Sequence, residues 1–132
     1  MARDQDAPDT ISLIIITDDP LHSRELVTSL STGRYRYIVA EVADRETMIH
    51  AFGAAVEASR GRRPVVAIFD WAFLKGQAEM FVWWVRTLQR GVAIECVVTR
   101  APADMHLRRR LSNLGASLFD GCAALAEPMS MH

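Results

Sequence analysis

This chain of 132 residues has little of what would give away a function on its own. Cysteine occurs twice. Cys96 and Cys122 sit in apolar surroundings with no metal-ligand spacing, which suits a reducing cytosol. No apolar run approaches the roughly 18–20 residues of a membrane span. Residues 1–10 are polar and acidic and read as a flexible arm; they lack the basic start and apolar core of a secretory signal. A net charge of −1 gives no overall field that would draw the chain to nucleic acid or to a membrane. His22, His50, His106 and His132 are scattered without ligand spacing, so solvated surface is the default for each. There is no internal repeat and no low-complexity segment. What remains is a cytoplasmic chain that forms one domain over residues 1–132, half of it hydrophobic and so able to bury a core.

What the chain does have is a set of short apolar runs that stop at oxygen-bearing side chains. Val65-Val66-Ala67-Ile68-Phe69 ends at Asp70. Ile11 to Ile16 is followed by Thr17, Asp18 and Asp19, and Ala93 to Val98 by Thr99. Runs of this length, rich in β-branched residues and flanked by Gly61 and Pro64 in the Val65 case, read as fully buried strands. In an open parallel sheet, ligands bind just beyond the carboxyl ends of the strands. Three such strands would deliver Asp18, Asp70 and Thr99 to one edge, within a few ångströms of one another.

Between the runs lie amphipathic stretches. Pro20 suits the first turn of a helix over Leu21–Ser31, with Leu26, Val27 and Leu30 inward and Gly33 as its stop. Tyr37–Val42 reads as a second strand. Asp44, with Thr47 three residues on, reads as the N-cap of a helix carrying Met48, Ile49, Phe52, Ala55 and Val56 on one stripe. Ser59–Arg63 is a basic, solvated loop. Ala78–Arg90 is a third helix, stopped by Gly91. Pro102 and Asp104 open a fourth, ending at Leu114 and capped by Gly115, with Leu107, Leu111 and Leu114 inward. Ser117–Phe119 is a short fifth strand. Strands alternating with helices of about ten residues argue for βαβ units around a parallel sheet.

These motifs, in this order, resemble the CheY-like receiver domain of two-component response regulators over Ile11 to Cys122. Ile14-Ile15-Ile16-Thr17-Asp18-Asp19-Pro20 resembles the acidic end of that family's first strand. Phe69-Asp70-Trp71 resembles its phosphoacceptor segment, and Val97-Val98-Thr99 its switch-hydroxyl segment. Leu114-Gly115-Ala116-Ser117-Leu118-Phe119 resembles the approach to its fifth strand. The resemblance implies an α/β three-layer sandwich whose five-stranded parallel sheet has the order 2-1-3-4-5. It implies Asp70 as phosphoacceptor, Thr99 as switch hydroxyl, Phe119 as switch aromatic, and Asp18, Asp19 and Asp70 as ligands of a weakly held Mg²⁺. The implied partner is a histidine kinase or phosphotransfer protein, and the implied role is signalling rather than enzymatic.

The departures from the pattern are specific. Aligning Pro20 with the family's proline puts Thr17 and Asp18 in the two acid positions. Sliding by one residue puts Asp18 and Asp19 there; the first register is preferred. The lysine expected seven residues after Gly115 is Cys122, and a thiol cannot supply an ammonium charge. The small residue expected after Thr99 is Arg100. The expectation is an atypical single-domain receiver that accepts phosphoryl weakly or works through protein contacts. The rivals are a phosphorylation-independent interaction module and a small Mg²⁺-dependent hydrolase or phosphatase with Asp70 as nucleophile. The latter would need a general acid at position 72, where the chain has Ala72.

Simpler roles compete with these. Asp70 could cap the following helix, Asp18 and Asp19 could form a turn, and Thr99 could be an ordinary strand-end residue. Arg100 with Arg108-Arg109-Arg110 reads as a solvated basic face, with no nucleic-acid motif. In the third helix, Phe81, Trp84, Val85 and Leu88 form a core stripe, which leaves Met80, Val82 and Trp83 outside it. Trp83 is therefore assigned to a partner or self-association surface. After Cys122 only Ala123–His132 remains, interrupted by Pro128, so the family's fifth helix is short or absent. The uncovered sheet face would favour a homodimer.

Overall fold

The computed structural model describes residues 10–30, 35–58, 64–87 and 94–120. Residues 1–9 of the expected N-terminal arm, the stops at Gly33 and Gly91, the loop at 59–63, Leu88, Cys122 and the tail lie outside the described residues, while Thr10, expected in the arm, is in a strand. The chain alternates β1 (Thr10–Ile16), α1 (Pro20–Leu30), β2 (Arg36–Val42), α2 (Arg45–Ala58) and β3 (Val65–Asp70). It continues with α3 (Trp71–Leu74), a 3-10 turn (Lys75–Gln77), α4 (Ala78–Thr87), β4 (Ile94–Thr99), α5 (Met105–Asn113) and β5 (Ala116–Phe119). All strand pairs are parallel, and the sheet order is β2-β1-β3-β4-β5, as expected.

Local chemistry sets the helix starts. Pro20 opens α1, where a missing N–H costs least. Asp19 caps that helix by accepting from the Leu21 and His22 amides at 3.1 and 3.3 Å. Asp44 caps α2 through the Thr47 amide and hydroxyl at 2.7 and 3.0 Å. Asp104 caps α5 through the His106 and Leu107 amides. The one-turn α3 and the 3-10 turn after it have no counterpart in the sequence reading. Four residues are too few for a periodic signal.

The strands sort their side chains to two faces, because successive residues point opposite ways. Ile14, Ile16, Ala67, Phe69, Cys96 and Val98 pack under α2, α4 and α5. Leu13, Ile15, Ile68 and Val97 pack with Leu26 and Leu30 of α1 and with Phe119. Helices on both faces make three layers. Phe52 of α2 stacks on Phe69 with ring centroids 6.4 Å apart and meets Trp84 edge-on at 5.7 Å. Cys96 is buried, and desolvation pushes its thiol up to about 11, so it serves as a small apolar residue.

Two helix faces differ from expectation. The buried stripe of α4 is Ala78, Phe81, Val82 and Val85, the i, i+3, i+4, i+7 pattern. Val82 is therefore core, and Trp84 is half-buried at its flank against Phe52. On α2, Met48 and Phe52 carry the burial, whereas Ile49 is 50% exposed. Between α5 and β5, Gly115 has φ +98°, and a Cβ there would meet the Arg86 guanidinium carbon at 2.9 Å. Only glycine suits that turn.

Phe52→Ala should cost about 3–5 kcal/mol by the lost transfer energy and the cavity left between Phe69 and Trp84. The check is the urea midpoint at unchanged slope.

Candidate functional site

Parallel strands end at one edge, and here that edge collects the polar residues. Asp70, the last residue of β3, pairs in register with Thr99 at the end of β4, and Thr99 pairs with Phe119 at the end of β5. Thr17 follows β1 and continues the ladder by donating its amide to the Val42 carbonyl at 3.0 Å. Thr17, Asp70 and Thr99 are all buried, and Asp70 is 0% exposed.

A buried carboxylate needs partners, and Asp70 has a full set. Its Oδ2 accepts from the Thr17 hydroxyl at 2.6 Å and from Arg100 Nη2 at 2.5 Å. Its Oδ1 accepts from Arg100 Nε at 2.9 Å and from the Ala72 amide at 3.1 Å. A carboxylate offers about four lone-pair sites. All are spoken for. The contact with Ala72 also makes Asp70 the N-cap of α3, so the capping role and the rim position coexist in one side chain.

Arg100 does the bridging. Its Nε and Nη2 take Asp70 side-on, as a guanidinium fork fits a carboxylate, while its Nη1 reaches Asp19 Oδ2 at 3.1 Å. The residue has φ +57°, in the left-handed region that costs a non-glycine residue about 1 kcal/mol. The loop that follows is held by Arg108, which donates to the carbonyls of Pro102 and Ala101 at 2.8 and 2.9 Å and pairs with Asp120 at 2.6 Å. Arg110 pairs with Glu79 of α4 at 2.8 Å. The arginines read as one solvated basic face are exposed at Arg100, Arg109 and Arg110, but Arg108 and Arg110 are also tied into surface ion pairs and Arg100 stands at the rim.

Thr99 is occupied as well. Its hydroxyl lies 2.9 Å from Nε2 of His22, which is buried in the first turn of α1. The default of a solvated surface therefore fails for His22, while His50 and His106 are exposed. Burial, followed by the charge of Arg100, lowers the His22 pKa and favours the neutral ring. Phe119 points into the core beside Ile68 and Val97. Asp18 is exposed, outside this hydrogen-bond network, and lines a shallow pocket of about 230 Å³ with Ser23 and Glu41. Of the three side chains expected to meet at the rim, Asp70 and Thr99 do and Asp18 does not join them. In its place stands Thr17, whose hydroxyl donates to Asp70.

Arg100 and His22 are the residues that sequence reasoning missed as members of the site. The signal for Arg100 was its place directly after a strand-ending threonine, one step beyond the residue that pairs with Asp70. For His22 it was a position in the first turn after Pro20, next to the rim.

A parallel five-stranded sheet of this order, with a buried carboxylate closing the third strand, is the receiver-domain fold. Solved structures agree on the fold. A response regulator receiver domain from Rhodospirillum rubrum superposes with a TM-score of 0.69 at 14% identity, covering 92% of this chain and 95% of that one. A response regulator from Thermotoga maritima gives 0.65 at 10% identity, covering 92% and 96%. A CheY-like receiver domain protein from Methanospirillum hungatei JF-1 gives 0.60 at 13% identity, covering 92% of each. No protein-family model matches the chain, and no curated protein does.

The residues present do not fit the Mg²⁺ implied by resemblance. Hard divalent cations need several free oxygen donors. The oxygens of Asp70 are filled, and those of Asp19 are turned to the start of α1 and to Arg100. Among the described residues no group of three or more His, Cys, Asp or Glu side chains could hold a metal ion. Asp18, Asp19 and Asp70 are therefore not a ligand set in this arrangement.

Burial alone would raise the Asp70 pKa, but the bonds from Arg100 and Thr17 and the charge of Arg100 outweigh it and hold the carboxyl below its ordinary 3.8. A carboxyl depressed in the fold contributes stability above its unfolded value, and that contribution is lost as pH falls through the folded value. Wild-type stability should therefore fall as pH drops below about 4, and Asp70→Asn should flatten that fall while lowering stability at pH 7. Urea midpoints measured across the acid range check both. His22 has the same sign, so its ring, followed by NMR, should titrate below the usual value of about 6.5.

Proposed function

We propose that this chain is a single receiver-like signalling module of the phosphorelay type, an atypical one, that acts through protein contacts and accepts phosphoryl at Asp70 weakly or not at all. The observation that carries this reading is the four-fold occupancy of the Asp70 carboxylate. An oxygen that is to attack phosphorus needs a free lone pair, and each of these is engaged by a donor. Asp70, Thr99 and Phe119 then hold the positions of phosphoacceptor, switch hydroxyl and switch aromatic, without a free acceptor or a free hydroxyl among them. The same occupancy speaks against a nucleophilic hydrolase, as does Ala72 at the place of a general acid. The module is read as cytoplasmic and non-enzymatic; no helix among the described residues is long and apolar enough to cross a membrane. The chain carries no nucleic-acid motif, and the charges of Arg108 and Arg110 are paired with Asp120 and Glu79.

The partners this reading names are a histidine kinase or phosphotransfer protein and a second copy of the chain. What supports a contact surface is Trp83 on α4, 57% exposed, with Met80 on the same helix 49% exposed. A large aromatic left in water is the usual anchor of an interface.

Incubation with acetyl phosphate and Mg²⁺ should modify less than about a tenth of the protein, because each attack must first displace a charge-assisted bond. Stoichiometric modification of Asp70 with a conformational response, followed by mass spectrometry and amide shifts, would refute the reading. Separately, Trp83→Lys should shift the protein toward monomer in light scattering; a wild type that is monomeric at high concentration argues against self-association.

A further inference from the structure

Among the described residues the sheet has two edges, β2 and β5. An open edge offers unpaired amides and carbonyls to another chain, and proteins guard it with short strands, lysine, proline or bulges. β5 is guarded by its length of four residues. β2 is not: it runs seven residues in unbroken register with β1 and holds neither lysine nor proline. Its charges, Arg36 and Glu41, stand near opposite ends, with Tyr37 to Ala40 between them. Ile38 in that stretch is 52% exposed, and Tyr35 just before the strand is 45% exposed. The Val42 carbonyl faces β1, where it accepts from the Thr17 amide. By alternation, Arg36, Ile38 and Ala40 also turn their backbone groups to β1, while Tyr37, Val39 and Glu41 turn theirs outward.

We infer that the outer edge of β2 pairs antiparallel with β2 of a second copy of this chain, about a two-fold axis at Ile38, so that two sheets become one. The inference rests on the self-association in the proposed function and gives it a surface of its own, apart from Trp83 on α4. Charge decides the direction. Parallel pairing of identical strands would set Arg36 beside the partner's Arg36 and Glu41 beside the partner's Glu41, and like charges across a pair repel. Antiparallel pairing brings the Arg36 end of each strand to the Glu41 end of the other, and the two arginines then stand about 14 Å apart along the strand. Side-chain chemistry decides the register. Opposed residues share a face, so odd positions must meet odd and even must meet even. With Ile38 on the axis, Tyr37 and Val39 exchange amide–carbonyl bonds from their outward groups, and Ile38 meets the partner's Ile38 in the closer, non-hydrogen-bonded pair. The half-exposed isoleucine is covered by its own copy. A two-fold contact uses one patch twice and closes, whereas β2 against the β5 edge of another copy would leave an edge of each kind open.

The test reads association by analytical ultracentrifugation of the full chain and register by cross-linking. Ile38→Lys places two ammonium groups at one point and should weaken self-association by about tenfold or more. Ile38→Cys should form a covalent dimer in more than about half of the chains under mild oxidation, because opposed Cα atoms of the closer pair lie within disulfide range. That arm holds even if the lysine variant fails to fold; wild type under the same oxidation sets the background. Val39→Cys should give less than about a tenth of that yield, since its two copies stand about 7 Å out of line along the strand. The Ile38→Cys cross-link should be unchanged by adding Trp83→Lys. A wild type that is monomeric at high concentration overturns the inference together with the self-association beneath it. Self-association that Ile38→Lys leaves intact overturns the inference alone. So does an Ile38→Cys yield at background, a Val39→Cys yield equal to it, or a cross-link that Trp83→Lys abolishes.

Discussion

The contact between Arg100 and Asp70 is the constraint on which the site depends. A fully buried carboxylate in an apolar sheet is expensive unless it is paired and hydrogen-bonded. The fold meets that requirement with a forked guanidinium from the adjacent strand's end, a hydroxyl from the strand on the other side and one amide of the following turn. Each donor comes from a different element, so the carboxylate can exist only where β1, β3, β4 and α3 meet correctly. The same saturation that makes the buried charge tolerable leaves each Asp70 oxygen with two donors.

The rest of the rim follows from that choice. Burial first, and then the fixed charge of Arg100, favour His22 as a neutral ring, and its nitrogen engages the Thr99 hydroxyl. Phe119, one strand further out, packs inward against Ile68 and Val97. Arg108 keeps the loop after Arg100 from relaxing by engaging two of its carbonyls, with Asp120 as counter-charge. Asp70, Thr99 and Phe119 are thereby each engaged by partners inside the protein, whereas Asp18 stays outside the network.

The fold was readable from sequence because its signals are repetitive. Buried parallel strands are continuous apolar runs, and the runs ending at Ile16, Phe69 and Val98 could hardly be anything else. Asp44 and Asp104 marked helix starts by a mechanism that needs no tertiary context. The helix faces were less legible: on α4 Val82 is core and Trp84 lies at its flank against Phe52, a setting of the helix about its axis that local periodicity does not fix. The site was half legible. Asp70 and Thr99 follow from strand ends, but the role of Arg100 depends on strand register and on a left-handed backbone, and neither is written in local sequence. His22 hid because one histidine on a helix carries no periodic signal, and Asp18 misled because its neighbour Thr17 took the inward position.

The turn at Gly115 couples two parts of the molecule that share no strand pairing. Arg86, in the last turn of α4, lies against the space where any other residue would carry its first side-chain carbon. A side chain at 115 would have to push that guanidinium aside and adopt a backbone angle it resists. Substitution there would disturb the end of α4 and the entry into β5 together, so these two segments are free to diverge only in concert.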